Sequence, residues 1–193
     1  MSNAVATDRF KGARIIALLA IIAGVVLIVA GGITWGAVAS QLQAEKISVA
    51  PVTPDAPGAL AGKTVQDPFT AYAQANAINF HSLAATKGLP YAQLGDAINT
   101  KKAELTKAGT SAADIATNKD VLALTGQRTT IMNGSFLRAS LFTSVVAFGI
   151  AALVMGLGIL FVLIGYALRT MTVKAVAVAE ATPIAPVVVG SRA

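Results

Sequence analysis

Apolar residues in this chain fall into two long unbroken runs separated by a mixed middle segment. No charged residue occurs from Ile15 to Ala44 or from Ala139 to Leu168. Each run exceeds the roughly 20 residues that, at about 1.5 Å rise, cross a hydrocarbon core of about 30 Å. Thirteen Leu, Ile, Val or Phe residues lie between Ile15 and Val38 and sixteen between Ala139 and Leu168. On the insertion scale the first set alone is worth roughly −4 to −8 kcal/mol before Gly and Thr are set against it. The pattern predicts an all-α membrane protein, with two transmembrane helices forming a hairpin and a small helical extracytoplasmic domain between them.

The middle segment has its own punctuation. Pro51, Pro54, Pro57, Gly58 and Gly62 predict an extended stalk with turns over residues 41–66. Asp67-Pro68 then reads as a helix start: the Asp carboxylate accepts from orphan N–H groups, and Pro at the first helical position has no donor to lose. Phe69, Tyr72, Ala73, Phe80, Leu83 and Ala84 recur at helical spacing until Gly88 and Pro90 end the run. A turn around Tyr91 to Leu94 leads to a helix from Asp96 to Lys107, closed by Gly109. Ser111 with Asp114 reads as a capping box for a helix ending near Gly126. Asn133 or a neighbour is expected to open the helix that enters the second span. The resulting divisions are a basic cytoplasmic N-terminus (1–14), a first span (15–40), the stalk (41–66), a helical domain (67–137), a second span (138–168) and a disordered tail (169–193).

Charge sets the orientation. The net charge is +6, but between Gln41 and Leu137 eight Lys or Arg face seven Asp or Glu, so the excess lies at the ends. That distribution follows membrane topology and gives no basis for nucleic-acid binding. Close to the spans, Arg9, Lys11, Arg14, Arg169 and Lys174 on the terminal side outnumber Lys46, Arg128 and Arg138 on the loop side. Juxtamembrane basic residues stay in the cytoplasm, which predicts a multi-pass protein of the plasma membrane with both termini inside. Trp35 and Tyr166, near the outer and inner span ends, suit the interfacial zones. The rival reading is a cleaved signal peptide, since Ala37-Val38-Ala39 has a small-x-small pattern, although a 24-residue apolar region is longer than the usual 7 to 15.

Candidate chemistry is sparse. Gly62-Lys63-Thr64 lacks the glycine five positions earlier that a phosphate loop needs, because Pro57 stands there. The absence of cysteine removes disulfides and thiolate chemistry, and His81 is the only histidine, so no two-histidine metal site exists within one chain. Asp67, Asn76 and Asn79 are polar neighbours of His81 in sequence but define no acid and base pair. No catalytic residue, cofactor or metal is expected. Small residues carry more weight. Ala17, Ala20, Gly24 and Gly31 fall along one face of the first span, Gly32 and Gly36 form a small-xxx-small pair, and Gly149, Ala152 and Gly156 form a strip in the second. Such strips let helix backbones approach closely in lipid, within one chain, in a homo-oligomer or against another membrane protein. Phe69, Tyr72, Phe80 and Leu83 make a candidate partner surface.

Four stretches carry a family likeness. They are Met132-Asn133-Gly134-Ser135-Phe136-Leu137-Arg138-Ala139-Ser140-Leu141-Phe142-Thr143-Ser144-Val145-Val146-Ala147-Phe148, Thr34-Trp35-Gly36 with Glu45-Lys46-Ile47, Asp67-Pro68-Phe69-Thr70-Ala71-Tyr72-Ala73-Gln74-Ala75, and Tyr91-Ala92-Gln93-Leu94. Through them the chain resembles small two-span actinobacterial membrane proteins over most of residues 15–168. The segment from about Gly95 to Thr130 is longer than in that family, and the tail does not match. Members often carry the label of an aromatic ring-opening dioxygenase subunit. A non-haem iron oxygenase normally needs two histidines and a carboxylate, so with His81 alone the resemblance implies topology and a bacterial envelope location, and no catalytic residues.

These readings lead to a non-enzymatic accessory or scaffolding protein of the cell envelope, embedded in the lipid bilayer. An oligomeric pore or transporter component is the alternative, with only Thr34, Thr143 and Ser144 to line a path. An envelope enzyme built on His81 comes third.

Overall fold

The computed structural model describes the backbone of residues 2–181 and the side chains of residues 12–172. Five helices follow in order: α1 (Ser2–Ala44), α2 (Pro68–Ala85), α3 (Tyr91–Lys107), α4 (Ala112–Ala116) and α5 (Lys119–Ala181). Helices α1 and α5 contain windows long and apolar enough to cross a membrane. Among the described residues the only β-pairing is one isolated antiparallel bridge, Ser48 with Thr64.

Both long helices outrun their sequence-based limits. Helix α5 takes in Gly126 and Asn133, where an end and a start were expected, and it continues to Ala181 through the first part of the expected disordered tail. No proline occurs between Pro90 and Pro183, so nothing in that interval removes a backbone donor. A single glycine costs a helix only about 1 kcal/mol, less than the burial of Val121 and Ile131 on either side of Gly126 returns. The remaining tail lies outside the described residues.

The chain divides into two compact units. The first comprises residues up to Ile33 and from Ala151 onward. Within it α1 and α5 run antiparallel along a seam of small residues seven apart. A Cβ built on Gly24 would lie 2.5 Å from the Gly158 carbonyl oxygen, one on Gly31 2.8 Å from that of Ala151, and one on Gly165 2.6 Å from that of Ala17. Ala17 is fully buried and Ala151 nearly so. The glycines let the helices approach at backbone distance, and the side chains of Val162, Met155, Ile28 and Ile21 occupy the space that a Cβ would need.

The second unit, Thr34 to Ile150, has a core of its own. Leu42, Val49, Val65, Ala71, Ala75, Leu141 and Phe148 are buried together, and the Trp35 and Phe148 rings meet edge to face at 4.7 Å. Val49 and Val65 belong to the segment expected to be an extended stalk. Instead it closes on itself: the Val49 amide donates to Lys63 and the Gly62 amide to Val49, both at 2.8 Å, while the Val65 amide donates to Ile47 at 2.9 Å. Gly62, at φ +77°, makes the return turn in the left-handed region. Two buried valines outweigh the flexibility suggested by the prolines between them.

Local signals hold where the chain neighbours decide them. Asp67 accepts from the amides of Phe69 and Thr70, and Thr70 answers to the Asp67 amide, completing a capping box at the start of α2. Ser111 caps α4, accepting from the Asp114 amide at 3.2 Å, yet α4 spans a single turn before Asn118 caps α5. Helix α3 begins at Tyr91, absorbing the expected turn. Lys101 bridges to Asp120 at 3.3 Å, tying α3 to the start of α5.

Candidate functional site

The outer edge of α2 and the loop packed beside it carry the features that need an explanation. The helix buries its small and polar face: Thr70, Ala71, Gln74, Ala75, Ala77 and Ser82. Gly134 of α5 admits this close approach, because a Cβ there would collide with the Ser82 hydroxyl. The aromatic residues are thereby turned outward, with Phe69 74%, Tyr72 53% and Phe80 43% exposed, while Leu83 is half-buried. Periodicity of large residues located the helix correctly and pointed to the face that the fold leaves uncovered.

Two side chains of α2, seven residues apart, grip one stretch of the loop. Gln74 Oε1 accepts from the Ala50 amide at 2.7 Å. His81 Nε2 lies 2.8 Å from the Pro51 carbonyl and donates to it, which requires the proton on that nitrogen. The only imidazole is thus engaged in holding the loop. Gln74 went unnoticed in the sequence because a glutamine on a helix gives no sign of whether it faces water or a backbone.

Held in this way, the loop and α2 enclose a groove of about 600 Å³ lined by Val49, Val52, Pro57, Leu60, Phe69, Tyr72, Ala73, Asn76 and Val145. No charged residue lines it. The Tyr72 ring meets Phe142 of α5 at 5.9 Å, and the Arg138 guanidinium lies 5.7 Å above the same Phe142 ring. Arg128 covers Tyr91 at 4.0 Å and so packs over α3. A second hollow of about 380 Å³ sits between α1 and α5 beside Gln41, Glu45, Ser140, Thr143 and Ser144. Its Thr143 and Ser144 hydroxyls donate to the carbonyls of Ala139 and Ser140, so they are committed to their own helix.

The expected small-residue strips separate into two groups. Ala17, Gly24 and Gly31 lie in the seam and Ala20 is half-buried at its edge. Gly32, Gly36, Gly149 and Gly156 have nothing within 4 Å of an added Cβ, and Ala152 is exposed. Gly158 and Gly165 complete the seam, and the signal that reveals them is the seven-residue repeat of the first span continued in the second, 17-24-31 against 151-158-165. Gly62 and Lys63 belong to the loop turn described above. Among the described residues no three His, Asp or Glu side chains assemble into a group able to hold a metal ion. No family model matches this chain, and neither curated proteins nor solved structures provide a significant match.

Proposed function

We propose that this is a two-span integral membrane protein of the bacterial cell envelope, a transmembrane hairpin with both termini in the cytoplasm, which displays the segment between its spans, residues 41–137, outside as a non-enzymatic accessory or scaffolding module. The observation that carries the reading is the outward face of the two long helices. Only 17% of either apolar window is buried within the protein, and Ile15, Ile16, Leu19, Ile33, Leu153 and Leu163 are more than half exposed. The core helix of a soluble protein would bury such residues; lipid accommodates them where they stand. The seam between α1 and α5 supports a hairpin, and the excess of basic residues at the terminal ends supports the orientation. The exposed aromatic edge of α2 supports contact with another component over catalysis, as does the engagement of His81 with Pro51.

Cysteine labelling tests the topology against a clean background, since the chain has no cysteine. Lys102→Cys, exposed on α3, should react with an impermeant maleimide in intact cells, and Gly12→Cys only after lysis. The protein should also stay in membranes through an alkaline carbonate wash. Reaction of Gly12→Cys but not Lys102→Cys in intact cells reverses the orientation, and release by carbonate removes the membrane reading.

A further inference from the structure

The groove beside α2 has Val145 in its wall, and Val145 stands three residues from Phe148, whose ring meets Trp35. A tryptophan at the end of an apolar span marks the level where hydrocarbon gives way to headgroups. Three residues of helix correspond to about 4.5 Å, so Val145 in the groove wall lies within a few ångströms of that level. Val145 also belongs to the uncharged run of α5, and the neighbouring Val146 is 60% exposed. Val145 thus joins the groove wall to the uncharged run of α5, beside an exposed apolar neighbour.

We propose that the groove receives the acyl chain of a phospholipid from the adjoining leaflet, lifted between the loop and the Phe69–Tyr72 edge of α2. The assignment rests on the membrane reading above. Its size, about 600 Å³, falls within the roughly 300–1,000 Å³ of small-ligand sites. Such sites usually add a few converging polar groups that orient a soluble ligand, and here only Tyr72 and Asn76 among the lining side chains are polar. A hydrocarbon chain needs no orienting group, and a membrane lipid reaches the opening laterally without crossing water. Val49, Val52 and Leu60 supply the contact on the loop side, held in place by the Gln74 and His81 bonds to residues 50 and 51. The occupied groove is a specific lipid contact by which the displayed unit is seated on the leaflet.

The full chain is reconstituted into phosphatidylglycerol vesicles doped with a phospholipid bearing a diazirine at the end of one acyl chain, then irradiated and mapped by mass spectrometry. In an undisturbed leaflet the chain end lies at the bilayer midplane, so it reaches the groove only if the chain is drawn upward. Peptides covering residues 49–76 should be labelled several-fold above those covering residues 100–118, together with α5 between Ile150 and Leu168. Ala73→Trp should fill the groove and lower the first signal several-fold while leaving α5 labelling unchanged; Asn76→Trp, at an exposed lining position, serves the same purpose if Ala73→Trp loses its helical circular dichroism. Loop labelling at the level of residues 100–118, or labelling indifferent to a folded groove-filling variant, overturns the acyl-chain assignment while the membrane reading stands. Absence of label on α5 as well overturns both.

Discussion

Gln74 and His81 stand two helical turns apart on α2 and bond to adjacent residues of the facing loop, adding side-chain anchors to the loop's own backbone bonds. The Ala50 amide is partly buried, and its acceptor at 2.7 Å is the Gln74 side chain of α2. Leaving a buried donor unpaired costs about 1–3 kcal/mol. In Gln74→Ala the exchange of the Ala50 amide should accelerate by about tenfold or more, since each 1.4 kcal/mol of lost protection is a factor of ten, while amides in α3 exchange at the wild-type rate. Hydrogen exchange read by mass spectrometry checks this, and an unaltered Ala50 rate would mean that the loop is held by packing alone. The Asp67 cap was legible in the sequence because both partners sit within three residues of each other. The Gln74 bond spans 24 residues, and no local pattern announces it.

Among the elements, the α1–α5 seam makes the sharpest demand on residue size. Glycines on opposite sides of the same helix face different tests. In Gly158→Leu the new Cβ would meet the Gly24 carbonyl oxygen at 2.6 Å, backbone that cannot step aside, whereas at Gly156 it would meet nothing within 4 Å. Overpacking of this kind typically costs about 1–3 kcal/mol. Thermal unfolding in detergent should therefore shift down for Gly158→Leu and stay near wild type for Gly156→Leu; equal effects at the two positions would place the contact face elsewhere. Helix existence in these runs was evident from apolar length alone. Helix ends were less so, because a glycine ends a helix only when no tertiary contact carries the chain through, and α5 has buried residues on both sides of Gly126.

For the molecule as a whole, the decisive question is whether α1 is a leader or a member of the fold. A cleavage after Ala39 would cut a continuous helix five residues before its end and remove most of it. It would strip Trp35 and Val38 from the core around Phe148, and Gly24 and Gly31 from their partners on α5. N-terminal sequencing of protein purified from membranes should accordingly find a start upstream of Ile15, and a mature terminus at Ser40 would reject an anchor that remains part of the structure. What the amino-acid order determined unaided was what neighbours in the chain govern: two long uncharged runs, the basic ends, and the Asp67 and Ser111 caps. Folding in three dimensions decided which small residues meet, that a proline-rich segment closes over two buried valines, and that the aromatic edge of α2 faces outward beside a groove. Periodicity reports which residues share a face of a helix, but only packing against distant parts of the chain selects which face is covered.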